Sequence, residues 1–318
     1  MTTYIIRRLF LGVIILLLVT MLVFLAMRLL PGDPLIIFIS QSQVQMYSIE
    51  QLAELRQEYG LDRTLPMQYI SWIGNILRGD MGKSILLGQD VGYLISTRLP
   101  ITIYFGVMSF IVSSFLGVIF GIICALRRGK WIDSFITVLA NIGITVPAFW
   151  IGILLMYLFS LTLHWLPTMG YVSPTENLGQ SLRAAVMPVI CLSLFSVASL
   201  TRQTRSAVLE VVGQDYIRTA WSKGLPEWLI ILRHTIKNAM IPVITILGLQ
   251  VGLVFGGSVL IETVFNIPGM GRLMAESLFS HDYQIVQGGT LVIAAVIVLS
   301  NLAVDISYGW IDPRIRYG

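Results

Sequence analysis

Six long stretches of this chain contain no aspartate, glutamate, lysine or arginine: Leu9 to Met27, Leu99 to Leu126, Ser134 to Thr175, Ala184 to Thr201, Asn238 to Ile261 and Tyr283 to Val304. A helix needs about 20 mostly apolar residues to cross the hydrocarbon of a bilayer. Inside lipid the backbone must also satisfy its own polar groups, which a helix does within one segment. The runs therefore predict an all-α, polytopic membrane protein with six transmembrane helices. Composition agrees, because 56% of the 318 residues are apolar and 12% are charged, whereas soluble domains carry roughly 25% charged residues. A soluble globular protein is excluded.

The third run is longer than one span needs and contains Pro147. It reads as one kinked helix to about Leu163, then an interface segment at Trp165 and Pro167. Pro34 to Ile49 is also uncharged, but it turns polar at Ser40-Gln41-Ser42-Gln43 and is not counted as a span. Arg7 and Arg8 precede a first run longer than the roughly 7 to 15 apolar residues of a signal peptide, and no small-residue cleavage site follows, so a retained anchor is expected. Residues 1–30 form this anchor span, 31–98 an external segment, and 99–318 a five-span core that includes a loop over 202–238.

Orientation follows from the basic residues of short loops. One side carries Arg7, Arg8, Arg127, Arg128, Lys130, Arg202, Arg205, Arg218, Lys223, Arg233, Lys237, Arg314 and Arg316. The short loops opposite hold Arg183 and Arg272. Both termini are thus expected in the cytoplasm, and the net charge of +4 reports topology and gives no reason to propose nucleic-acid binding. Cys124 and Cys191 fall within spans and read as small packing residues.

The external segment begins with the turn cluster Leu30-Pro31-Gly32-Asp33-Pro34. Two amphipathic helices are predicted after it. The first runs from about Ile49 to Tyr59, with Ser48 and Gln51 as a capping box, Ile49, Leu52 and Ala53 on one face, and Gly60 as the stop. The second starts at Pro66, turns Tyr69, Ile70, Ile73, Ile76 and Leu77 toward a support, and ends at Gly79. Such a segment serves either as a lid packed on the spans or as a docking surface for an external partner.

In the loop over 202–238, Asp215 is a good N-cap, Tyr216 to Lys223 can form two helical turns, and Gly224 supplies a left-handed stop. Tyr216, Ile217, Ala220 and Trp221 then fall on one side, and Arg218, Thr219, Ser222 and Lys223 on the other. Pro226 opens a new helix leading into the fifth span. A short amphipathic helix here suits either a membrane-surface anchor or a lever pushed by a cytoplasmic protein; on periodicity alone the anchor is the simpler reading. Within the spans, Gly248, Gly252 and Gly256, and likewise Ser113, Gly117 and Gly121, recur every fourth residue, a spacing that lets helix backbones approach closely.

Catalytic and metal chemistry find little support. His164, His234 and His281 are scattered and show no zinc spacing. Ser258 has no histidine inside a span to serve as its base. Gly79-Asp80-Met81-Gly82-Lys83-Ser84 fails as a phosphate loop, because Leu77 stands where its first glycine belongs. The span cores also lack the carboxylates, lysines and arginines on which ion-coupled carriers and pumps depend. Their polar residues are neutral: Asn141, Thr145, Gln250, Ser258 and Asn301, with Asp305 at the end of the sixth span.

Four stretches stand out: Arg7-Arg8-Leu9 through Leu29-Leu30-Pro31-Gly32-Asp33-Pro34; Asp215-Tyr216-Ile217-Arg218-Thr219-Ala220 with Lys223-Gly224, Arg233-His234 and Asn238-Ala239-Met240-Ile241-Pro242; Gly256-Gly257-Ser258 through Phe265-Asn266-Ile267-Pro268-Gly269-Met270-Gly271-Arg272; and Asp312-Pro313-Arg314-Ile315-Arg316. Together they resemble the membrane subunits of binding-protein-dependent ABC importers of the dipeptide, oligopeptide, glutathione and nickel group, and specifically the first of their two permeases. The resemblance implies a type I ABC importer permease fold in a bacterial or archaeal inner membrane. It implies no enzymatic activity in this chain, and ATP and magnesium held by partner subunits.

The partners so implied are a paralogous permease, two cytoplasmic ATPases and an external substrate-binding protein. The resemblance reverses the reading of the loop helix, making Asp215, Tyr216, Arg218, Thr219, Ala220, Lys223 and Gly224 an ATPase-coupling helix. The wider importer motif has Glu-Ala-Ala before its glycine, whereas Arg218-Thr219-Ala220 stands here, so a cationic contact through Arg218 is expected in place of a carboxylate. Asn141, Gln250 and Ser258 are the candidates for the translocation path. Peptides lead as substrates, with glutathione or nickel chelates as alternatives and an ion-coupled secondary carrier or a non-transporting scaffold as rival classes.

Overall fold

The computed structural model describes residues 2–29, 35, 49–254 and 259–311. Its helices in chain order are α1 (Thr2–Leu29), α2 (Ile49–Glu58), α3 (Leu65–Leu77), α4 (Val91–Leu126), α5 (Trp131–Thr145), α6 (Ala148–Leu155), α7 (Leu178–Val212), α8 (Asp215–Ser222), α9 (Glu227–Leu229), α10 (Lys237–Val254), α11 (Val259–Val264), α12 (Met270–Phe279) and α13 (Tyr283–Ile311). Wider π-helical turns continue α6 through Met156–Thr162 and join α9 to α10 through Ile230–Ile236. Among the described residues, five segments are long and apolar enough to cross a membrane: Ile6–Leu29, Val91–Leu126, Leu178–Val212, Glu227–Gly252 and Tyr283–Val304.

The sixth span differs from the single kinked helix that the sequence suggests. Trp131–Thr145 and Ala148–Thr162 are separate helices meeting at 106°. The cause is local. Val146 precedes Pro147 and adopts an extended backbone (φ −83°, ψ 131°), because the proline ring excludes the α conformation from the residue before it.

Two compact units share the chain: one comprises residues 1–102 and 268–302, the other residues 103–267 and 303–318. In the first, Val91, Leu94 and Ile95 at the start of α4 pack with Met270, Leu273 and Ile285 of α12 and α13. The Met270 amide donates to the buried Thr102 hydroxyl at 2.8 Å, which satisfies one of the open N–H groups of α12 from a distant part of the chain. Met27 of α1 is buried with Tyr283 and Val286. The Asp282 carboxylate accepts from the Ser84 hydroxyl and from the Leu86 amide.

Both amphipathic helices are present in this unit, with Gly60 and Gly79 in the left-handed region that ends them (φ 63° and 85°). Ser48, half of the expected capping box, lies outside the described residues. Among the described side chains of α2, Leu52 and Leu55 are half-buried and Ala53 is exposed, while the side chain of Ile49 lies outside what is described. The supported face of α3 is also narrower than expected. Tyr69 stacks edge-on against Phe24 of α1, with ring centres 5.4 Å apart, and its hydroxyl lies 3.0 Å from that of Thr20. Ile70 and Leu77, seven residues apart on the other side, are exposed.

The second unit is organised around α7. Added Cβ atoms at Gly117 and Gly121 of α4 would stand 2.6 Å from Leu200 Cβ and 2.4 Å from Thr204 Cβ, so these glycines bring α4 and α7 into backbone contact. Gly143 of α5 faces the Leu194 carbonyl in the same way, and Gly152 of α6 faces Phe265 and Cys191. Ala125, Ala207, Val208, Ala239 and Val243 join α4, α7 and α10 in one buried cluster.

Candidate functional site

Helix α8 is short, exposed and held at a few defined points. The helix α7 runs to Val212, leaving Gly213 and Gln214 as its link to α8. Gln214 makes the turn with an extended backbone (φ −75°, ψ 147°) and is the N-cap. Asp215 is therefore not the cap that the sequence suggests. It occupies the first helical turn, where its negative charge still complements the helix dipole.

The far end of α8 closes as expected at Gly224 (φ 73°). The Gly224 amide donates to the Trp221 carbonyl at 2.9 Å and the Leu225 amide to the Ala220 carbonyl at 3.4 Å. This pair of bonds is the Schellman ending, which satisfies carbonyls that a helix C-terminus leaves open. Leu225 also packs against the cluster formed by Ile217, Ala220 and Ile230, completing the apolar contact that accompanies such an ending.

Only Ile217 and Ala220 of α8 are buried. Tyr216 and Trp221, expected beside them, are 45% and 46% exposed and flank the buried line. The difference is one of angle: two buried residues three apart define a narrow stripe, and their sequence neighbours point about 100° away on either side. Tyr216 is nevertheless anchored, since its hydroxyl accepts from Asn238 Nδ2 at 3.2 Å, and the same amide donates to the His234 carbonyl at 2.7 Å. The free face presents Asp215, Arg218, Thr219, Ser222 and Lys223. Arg218 lies 3.7 Å from Asp215, with both side chains largely in solvent. Such a face can bind a complementary groove and supplies no reactive group.

Asp133 and Arg205 form the polar lock that sequence reasoning missed. Arg205 Nε and Nη2 each donate at 2.9 Å to one carboxylate oxygen of Asp133, and the Gly129 amide donates to the same carboxylate at 3.0 Å. The fork ties the first turn of α5 to α7, in the stretch that leads to α8. The available signal was a lone acid at the edge of an apolar run, three residues after Lys130 of Arg127-Arg128-Gly129-Lys130; a charge placed there requires a partner.

Asn141 is exposed on α5 and Gln250 is half-buried on α10, its Oε1 enclosed without a hydrogen-bond partner. Ser258 lies outside the described residues.

Comparison with known proteins covers the whole length. Residues 117–317 match the family model described as "Binding-protein-dependent transport system inner membrane component", and residues 1–105 match the corresponding N-terminal membrane component. A Brucella abortus (strain 2308) protein named as a peptide transport system permease is 40% identical over 317 residues, covering 100% of both chains. The oligopeptide transport system permease protein AppB of Bacillus subtilis (strain 168) is 38% identical over 320 residues, again across 100% of both. A crystal structure of an amino acid ABC transporter with histidines aligns at 16% identity with a TM-score of 0.47, over 70% of this chain and 94% of that one.

Proposed function

This chain belongs to the family of binding-protein-dependent transport system inner membrane components, a transport subunit rather than an enzyme, and from that premise we propose that it forms half of the path by which peptides enter a bacterial or archaeal cell. It sits in the inner membrane with both termini in the cytoplasm and pairs with a paralogous permease. An external binding protein delivers the substrate, and two cytoplasmic ATPases carry ATP and magnesium. The peptide reading draws on the relatives of 38% to 40% identity that are named peptide or oligopeptide permeases.

The observation that carries the mechanism is α8. It is a short helix between two spans, with its apolar stripe packed, its C-terminal end closed and its Arg218 and Lys223 face open. ATPase closure would push on that face, and the Tyr216–Asn238 bond and the Ile217–Ile230 contact would pass the displacement to the segment entering α10. The spans then rock to open the path alternately to each side. Neutral Asn141, Gln250 and Ser258 line that path and suit a substrate of variable side chains.

Purification of the tagged chain from its native membrane, followed by uptake of labelled trialanine into liposomes holding the purified assembly, tests the proposal. Recovery of a second permease and two ATPases, with ATP-dependent uptake, is expected. Recovery of the chain alone, with uptake driven by a proton or sodium gradient, would overturn it.

A further inference from the structure

Helix α3 carries no charged side chain from Leu65 to Leu77 and is bracketed by charges, Asp62 and Arg63 before it and Arg78 and Asp80 after it. Its 13 residues make about 20 Å of helix, too short for the roughly 30 Å of a bilayer's hydrocarbon. Two faces run along it. Gln68, Ser71 and Asn75 line a polar cavity in the first unit. Met67, Ile70 and Leu77 form a second stripe, at three- and four-residue spacing through Gly74, and they are 52%, 64% and 83% exposed. A Cβ added at Gly74 would meet nothing within 4 Å, so the stripe is open along its length.

The depth of α3 follows from its contacts with α1. The uncharged run of α1 ends at Met27. The next residue, Arg28, lies 4.4 Å from the ring centre of Tyr283, where the uncharged run of α13 begins. Two spans come level there, which marks the edge of the hydrocarbon. Tyr69 of α3 meets α1 well inside that edge. Its ring packs edge-on against Phe24, and its hydroxyl lies 3.0 Å from that of Thr20 and 3.3 Å from the Leu17 carbonyl. Thr20 stands seven residues before Met27, roughly 10 Å at 1.5 Å per residue. The Thr20 hydroxyl donates to the Leu17 carbonyl at 3.0 Å, so the Tyr69 hydroxyl finds its acceptor on α1 and needs no water, as a polar group at this depth requires. On the same turns of α1, Leu17, Leu18, Met21 and Leu22 are exposed, as side chains turned to lipid are. The open stripe of α3 lies at the level of that surface.

We propose that α3 lies in the membrane and not above it, as an amphipathic helix sunk beside α1 into one leaflet, with Met67, Ile70 and Leu77 among the acyl chains and Gln68, Ser71 and Asn75 turned to the polar cavity. Helices of this kind carry their apolar face about 5–10 Å into the boundary between headgroups and acyl chains, close to the depth at which Tyr69 fastens α3. The charges at both ends return the chain to headgroup level. Part of the segment that the sequence places outside the membrane thus belongs to the lipid-facing wall of the protein. The inference rests on the chain being a membrane component and holds for either orientation and for any substrate.

Met67→Cys, Ile70→Cys and Leu77→Cys, each labelled with the fluorophore NBD, test the proposal in the full-length chain, purified with its companion subunits and reconstituted in liposomes of phosphatidylethanolamine and phosphatidylglycerol. Cys124 and Cys191 are buried, so the parent chain serves as the labelling blank. Leu22→Cys on α1 gives the lipid reference and Glu54→Cys on α2 the water reference, both at exposed positions. Phospholipid carrying a nitroxide near the top of its acyl chain should quench all three labels as strongly as the label at position 22. Iodide, supplied on both sides of the membrane, should quench them several-fold less than the label at position 54. Iodide quenching equal to that at position 54 would overturn the proposal and make α3 a lid in water. Quenching by neither agent would overturn it as well and assign the stripe to a protein partner. Peptide uptake enters neither readout, so failure here is distinct from failure of the transport reading.

Discussion

The α4–α7 seam and helix α8 belong to the same compact unit and are held by opposite means. The seam joins two helices of 36 and 35 residues through glycines that leave no room for a Cβ, so its geometry is fixed by hard contact between backbones. Helix α8 has 8 residues and is held by two buried side chains, one tyrosine bond and a capped end. Close-packed contacts resist displacement and transmit it whole. A short helix with a single apolar stripe can tilt on that stripe. A subunit that must receive a push and pass it on needs both, with the compliant element joined directly to the stiff one, as α7 is to α8.

Breaking the seam should have the largest effect. In Gly121→Leu even the first added carbon would stand 2.4 Å from Thr204 Cβ and 2.8 Å from the Thr201 carbonyl, and overpacking of this kind costs upwards of about 3 kcal/mol when a backbone blocks relaxation. Loss of monodisperse protein on size-exclusion chromatography is expected. Gly74→Leu, at a position with nothing within 4 Å, serves as the matched control and should purify normally. Equal yields would mean that the two helices do not touch at Gly121.

Ile217→Ala acts on the compliant side. Ile217 is fully buried, and truncating such a residue costs roughly 2–5 kcal/mol where the surroundings cannot collapse. Because only one small cluster loses support, the cost should be local. Hydrogen exchange is expected to quicken over residues 213–226 while the long helices keep their protection, and peptide uptake should fall. Faster exchange throughout the second unit would show that α8 is a structural keystone rather than a separable lever.

The Asp133–Arg205 fork sits between these extremes. Asp133→Asn leaves a guanidinium that is one-third exposed without its counter-charge, at a cost of roughly 1–3 kcal/mol. Adding Arg205→Gln should restore part of that loss, since a neutral pair can still hydrogen-bond. Thermal unfolding of the two single variants and the double variant gives the coupling between the residues. Strictly additive losses would mean that the fork does not hold α5 to α7.

What the sequence revealed and what it hid divide along the same line. Ser113, Gly117 and Gly121 announced a close-packed face because a four-residue spacing is a local property, and Gly224 announced a helix end because its backbone requirement is local too. The apolar runs placed the spans for the same reason. Asp133 and Arg205 are 72 residues apart, and nothing in periodicity pairs a carboxylate with a guanidinium at that distance. Pro147 was visible, but a proline in an apolar run permits either a kink or a break, and the extended backbone of Val146 before it made this one a break, with the two helices meeting at 106°.

Arg218→Glu should have the smallest effect on the fold and tests the reading of α8 most sharply. Its side chain is 72% exposed and its neighbour Asp215 98%, and exposed ion pairs of this kind contribute little to stability. Unfolding of the variant should therefore match the parent. If α8 meets the ATPases through this cation, the reversed charge should still lower peptide uptake and the stimulation of ATP hydrolysis by loaded binding protein, with raised salt weakening the parent contact in the same direction. Thr219→Ala, on the same open face but without charge, should fall between the two. Full coupling in Arg218→Glu would move the contact elsewhere on the helix, to Lys223 or the half-exposed Trp221, and leave the seam as the only element of this pair with an assigned role.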